Sequence, residues 1–264
     1  MNNIALGRYL PLNTFTHHLD PRYKIIGMLL LMACVFIPAG FIGYAIIGAF
    51  ILIALLLTKI KLQMIVKSMK PLLFMLSFLM VINVFVIRTG YVVFALGGFT
   101  LYSDALFQTA YIAIRLTLMI TITTLLTVST KPLDLTLGIE DLLSPFKKVG
   151  FPAHEVAMMI SIALRFIPTL IDETNRIMKA QASRGVDLKE GSFKEKIMAI
   201  LSLIVPLFVS SFQRAEELAD AMEARGYIVA APRTRYKQLK PTYRDAIMMI
   251  SVLALLGTII WLSL

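Results

Sequence analysis

Cysteine is almost missing from this chain: the single Cys34 has no partner within it, which excludes a disulfide scaffold. Charge is scarce as well. Asp, Glu, Lys and Arg make up 16% of the 264 residues, against about 25% in an ordinary soluble domain. Histidine is limited to His17, His18 and His154, without a metal-ligand spacing such as HExxH, so no metal is assigned. No GxxxxGK[ST] loop, GxSxG elbow or CxxC pair occurs, so the chain has no P-loop for ATP and none of these catalytic centres. What remains is 58% hydrophobic, with a mean hydropathy of +0.79. That excess rules out a disordered chain and points to an all-α integral membrane protein.

The apolar residues fall into runs. Residues 25–37 and 41–58 are separated by Pro38 and Gly40, which suits two spans and a tight turn. Both runs are short for a bilayer core, and Lys24 and Lys59 at their ends can snorkel. Asp20-Pro21 reads as an N-cap followed by proline at the first helical position. Lysines recur between residues 59 and 70, as in a helix or loop lying on the membrane surface. Residues 71–87 and 105–127 read as the third and fourth spans, joined by a short hairpin around Gly97-Gly98. A last span covers 246–264. The expected organisation is therefore an N-terminal membrane part (1–127), a helical coupling region (128–243) and a C-terminal transmembrane helix (244–264), with about five spans in all.

Between residues 129 and 245 charges of both signs appear, while apolar residues recur at helical spacing. This reads as an amphipathic insertion, too charged to span and too apolar to be loop. Its most apolar stretch, 201–209, is broken by Pro206 and reads as buried or interfacial. Of the 26 Lys and Arg, only Arg88 would lie outside if the N-terminus is cytoplasmic. The positive-inside rule therefore puts the insertion in the cytoplasm, and the formal charge of +10 reflects orientation rather than a nucleic-acid partner.

Two helices in the insertion end alike. The first, 153–184, closes with Ala182-Ser183-Arg184-Gly185, and the second, 194–225, with Glu223-Ala224-Arg225-Gly226. Each also carries an internal proline, Pro168 or Pro206, a candidate hinge. Taken alone, either end is ordinary capping: glycine turns the chain and a cation complements the helix dipole. Repetition of the triplet suggests two docking plugs, in which arginine forks onto a carboxylate and its small neighbours permit close approach. Two equivalent plugs imply a partner with two equivalent sockets.

With these motifs in place, the sequence resembles the transmembrane coupling subunits (EcfT, a CbiQ-like family) of energy-coupling factor transporters. The resemblance covers nearly the whole chain. It rests on Leu19-Asp20-Pro21-Arg22 with Lys24, residues 115–132, 142–145, 165–168 and 180–185, and above all Ala221-Met222-Glu223-Ala224-Arg225-Gly226-Tyr227. Lys131 departs from the smaller polar residue usual in the family. The resemblance implies a non-catalytic scaffold in a prokaryotic cell membrane. Its Arg184 and Arg225 would enter grooves of two ATP-binding cassette ATPases, with Ala182, Ser183, Gly185, Glu223, Ala224 and Gly226 around them. It also implies a membrane-embedded S-component that binds a vitamin or metal, with ATP and Mg held by the ATPases and no cofactor on this chain.

Two other functions compete with this one. An ABC permease would need substrate-binding groups within the spans, and a membrane-embedded enzyme a polar cluster there. The spans offer Arg115, which reads chiefly as a structural arginine, since no acidic residue within a span could form an ion pathway with it. The 15 methionines, Met158, Met159, Met178, Met198 and Met222 among them, suit an adaptable surface or gap-filling equally. Glu216, Glu217, Asp220 and Glu223 read as a solvated acidic face, with Glu223 close enough to orient Arg225.

Overall fold

The computed structural model describes residues 9–12, 14–59, 62–96, 99–149, 152–186, 192–228 and 238–264. In chain order the helices are α1 (Pro21–Phe36), α2 (Gly40–Thr58), α3 (Leu62–Val86), α4 (Ser103–Ser129), α5 (Pro132–Leu143), α6 (Ala153–Ser183), α7 (Phe193–Ala224) and α8 (Tyr243–Ser263). A 3-10 turn, Phe15–His18, precedes α1, and another, Ser144–Val149, follows α5. Between α3 and α4, strands β1 (Val92–Leu96) and β2 (Phe99–Tyr102) pair antiparallel. This is the expected hairpin; Gly97 and Gly98 themselves lie outside the described residues, as do Arg8 and Lys61. The protein is an all-α membrane protein.

Local chemistry starts the helices. The Asp20 carboxylate accepts the Arg22 N–H at 2.9 Å and Pro21 occupies the first turn, as the sequence pattern predicts. Ser192 and Glu195 form a reciprocal capping box at α7, and Thr242 and Asp245 form another at α8.

Two compact units result, Met1–Leu142 with Leu239–Leu264 and, separately, Leu143–Gln238. In the first, α4 packs against α1, α2 and α3, and α8 packs against α1 and α2. Its core is aliphatic, with Val35, Ile47, Ile122, Val128, Val252 and Ile259 buried. Nearly all of α5 belongs with this bundle rather than with the long helices. The second unit is built on α6 packed against α7.

Six helices among the described residues are long and apolar enough to cross a membrane, and they differ from the expected five spans. At 16 residues, α1 is about 24 Å long and falls short of a bilayer core of about 30 Å. Both α6 and α7 qualify because each contains a long stretch with few charges; residues 197–213 of α7, between Lys196 and Arg214, carry none. By length and composition, then, a spanning stretch lies inside the segment expected to be too charged to span. The lysine-bearing stretch before residue 71 is also not a separate surface element. From Leu62 it is continuous with the third span in a single helix that passes through Pro71.

Candidate functional site

Each long helix of the second unit ends in a Schellman motif. At α6, Gly185 N–H reaches the Ala182 carbonyl at 3.0 Å and Val186 N–H the Gln181 carbonyl at 3.0 Å. At α7, Gly226 N–H reaches Glu223 at 2.8 Å and Tyr227 N–H reaches Met222 at 2.9 Å. Arg184 (φ −90°, ψ 6°) and Arg225 (φ −89°, ψ 9°) are the C-caps, in almost the same conformation. Gly185 and Gly226 follow at φ +83° and +74°, a region that disfavours any Cβ. An added Cβ at either position meets nothing within 4 Å, so the glycines serve the turn and not a tight contact inside this chain. Both arginines and their small neighbours Ser183 and Ala224 are exposed.

Two contacts set the direction of the pair. Gln181 Nε2 donates to the Ser202 carbonyl at 3.2 Å, and Arg214 meets Glu173 at 3.5 Å. As numbering rises along α6 it falls along α7, so the helices run antiparallel. Arg184 and Arg225 therefore lie at opposite ends of the pair. Helical rise alone separates them by roughly 30–40 Å.

Both helices pass through their prolines without interruption. A helical proline supplies no N–H to the carbonyl four residues earlier, which for Pro206 is that of Ser202. The Gln181 amide occupies that acceptor. Gln181 is missed by sequence reasoning, although a glutamine three residues before a capping arginine and a helix-interior proline are each visible in the chain.

Most of α7 is open. Of its residues only Ala199 is buried, while Leu201, Ile204, Val205, Phe208 and Phe212 are all exposed. The Phe208 and Phe212 rings touch with centroids 4.6 Å apart, tilted at 54° to each other. The expected alternative that 201–209 is buried does not hold among the described residues of this unit, where most of the stretch is exposed. Glu223 forms no ion pair with Arg225 among the described residues, and so the expected orienting contact is absent there; its backbone carbonyl holds Gly226 instead.

In the first unit, Arg115 is caged. Its Nε donates to the Tyr44 hydroxyl at 2.9 Å, and its guanidinium lies 5.8 Å from the Phe36 ring centroid and 5.6 Å from that of Tyr111. Asn83 and Thr109 add a 3.0 Å hydrogen bond between α3 and α4 that the apolar pattern conceals. At the end of the bundle where α1 and α8 begin, Asp245 accepts N–H groups from Asp20 and Thr242, each at 2.7 Å. Lys24 there donates to the Ser129 carbonyl and the Thr130 hydroxyl at 3.1 and 3.2 Å. Arg22 pairs with Asp20 and Asp141. Among the described residues no cluster of His, Cys, Asp and Glu could hold a metal ion.

A family model described as cobalt transport protein (CbiQ) matches residues 13–236. The energy-coupling factor transporter transmembrane protein EcfT of Bacillus subtilis (strain 168) is 42% identical over 262 residues, covering 99% of both chains. The protein of the same name from Brevibacillus brevis is 43% identical over 261 residues, covering 99% of this chain and 98% of its own. That of Clostridium kluyveri is 45% identical over 258 residues, covering 97% and 95%.

Proposed function

We propose, from the premise that the chain belongs to the EcfT family of energy-coupling factor transporter transmembrane proteins, that it is the scaffold joining two ATPases to a substrate-binding S-component. The observation that carries this reading is the pair of exposed arginines, Arg184 and Arg225, in matched C-cap conformations at opposite ends of one antiparallel helix pair.

An exposed guanidinium just before a left-handed glycine has few of its own side chains around it, so it can enter a groove and fork onto a carboxylate. Ala182, Ser183, Gly185, Ala224 and Gly226 leave room for the groove walls. Each ATP-binding cassette subunit takes one arginine. ATP and Mg stay with those subunits, and this chain carries no catalysis. The long helices transmit relative movement of the two sockets, with Pro168 and Pro206 as bending points. The open apolar face of α7 meets the membrane-embedded S-component, whose cargo is a vitamin or metal. In this reading the second unit lies on the cytoplasmic side of a prokaryotic cell membrane.

The test is a pulldown. Arg184→Glu combined with Arg225→Glu abolishes capture of the ATPase pair while the chain still inserts, and each single change leaves partial capture. Undiminished capture by the double variant rejects the plug assignment. ATP hydrolysis by the isolated chain contradicts the scaffold role.

A further inference from the structure

Within the first unit, α1, α2, α4 and α8 surround a cavity of about 480 Å3. Its size falls within the roughly 300–1,000 Å3 of small-ligand sites. Its wall is almost entirely hydrocarbon: Leu31, Phe50, Leu126 and Val252 are among the lining side chains, and Lys24 is the one charged residue there among the described residues. Leu31, Ile122 and Val252 form a buried floor, while Ile53, Leu57 and Ile247 are half exposed or more. The cavity is thus closed in depth and open where α2 and α8 face outward.

Cations collect around one end of it. Lys24 lies in the first turn of α1, Lys59 caps the C-terminus of α2, and Arg244 lies in the first turn of α8. The Arg244 guanidinium sits 5.8 Å from the ring centroid of Phe15, which lines the cavity, and its Nε donates to the Tyr243 hydroxyl at 3.2 Å. Nearby carboxylates are already engaged. Asp20 is held by Arg22, and Asp245 by two backbone N–H groups. Lys24 is turned inward onto Ser129 and Thr130, whereas Lys59, two residues past the lining Leu57, is exposed and Arg244 is half-exposed.

We infer that this cavity is a phospholipid site: one acyl chain fills it, and the headgroup phosphate is held by Arg244 with Lys59 beside it. An apolar void is not filled by water, and in a bilayer the abundant apolar filler is an acyl chain. The cationic rim selects an anionic headgroup over a zwitterionic one, because arginine forks onto phosphate and a second cation adds to the local potential. The lipid then acts as part of the packing between α2 and α8, independently of which partners the chain has.

The test uses the full chain reconstituted in bilayers of mixed phosphatidylglycerol and phosphatidylcholine, extracted gently and weighed by native mass spectrometry. The expected result is one retained phospholipid per chain, enriched in phosphatidylglycerol. Ala54→Phe, which fills the cavity from α2, lowers the retained fraction roughly tenfold. Leu56→Phe, on an exposed α2 position outside the lining, leaves it unchanged. Arg244→Gln keeps the lipid but loses the headgroup preference. If Ala54→Phe fails to insert, Ser251→Leu fills the same space from α8 and gives the same reading. Absence of retained lipid, or equal retention in the filled variants, overturns the inference. So does a cysteine at position 54 that crosslinks to a span of another subunit in the assembled transporter instead of to a photoactivatable acyl chain.

Discussion

The side-chain amide of Gln181 donates to the main-chain carbonyl of Ser202 at 3.2 Å, the acceptor that Pro206 leaves without its helical N–H. The contact joins the proline site of α7 to the last turn of α6, three residues before Arg184. The Gln181 carbonyl in turn accepts N–H groups from Arg184 and Val186, both at 3.0 Å. One residue thus holds the weakened point of one helix with its side chain and the capped end of the other with its backbone.

This arrangement predicts a thermodynamic coupling. Gln181→Leu should cost about 1 kcal/mol, the net worth of a typical hydrogen bond. Pro206→Ala restores the missing N–H, and in that background the same Gln181→Leu change should cost close to nothing. A double-mutant cycle on thermal unfolding measures the difference. Equal costs in both backgrounds would show that the amide does not serve the orphaned carbonyl.

The two glycines should behave as equals. Gly185→Ala and Gly226→Ala both force a Cβ into a left-handed turn with no crowding around it, so each should cost about 1–2 kcal/mol from the backbone alone. Hydrogen exchange should show the last turn of the affected helix opening, with the other tip unchanged. Asn at either site should be milder than Ala, since it tolerates this conformation better.

Asp245 is 1% exposed, and both its oxygens are spent on backbone N–H groups. Asp245→Ala strands the Asp20 and Thr242 donors together and detaches the start of α8 from the start of α1. The expected loss is about 3 kcal/mol or more. A thermal-shift assay in detergent checks it, and a change of less than about 1 kcal/mol would refute the role.

His17 gives a pH signature. Burial pushes its imidazole below the ordinary value of 6.5, opposed by its hydrogen bond to the Leu10 carbonyl and reinforced by the Lys24 charge. Since the folded state favours the neutral ring, its contribution is complete above pH 6.5 and is lost as pH falls through the lower folded value. Midpoint temperature should therefore be flat above 6.5 and decline below it. His17→Gln should remove that part of the decline while carboxylate effects at lower pH persist.

Much of this fold is legible in the order of residues along the chain. Asp20-Pro21 announces the start of α1, the Gly-flanked hairpin lies between two apolar runs, and both long helices end within a residue of where the Arg-Gly triplets place them. These features are local. Period, cap and turn chemistry act over a few residues, so a linear sequence displays them. The limits of the spans are harder to read, because charge averaged over a long insertion hides an apolar half-helix such as residues 197–213.

What the chain alone determined is its membrane character, its helices and the two matched arginine ends, since composition and short-range capping require no knowledge of neighbours. Tertiary structure decided that Arg184 and Arg225 point to opposite ends of one pair, that Gln181 meets Ser202, that Asp245 receives the Asp20 N–H, and that Arg115 rests against Tyr44. Those pairings lie far apart in sequence and depend on which helix faces map onto each other. Packing chooses among many such mappings, and periodicity leaves them open.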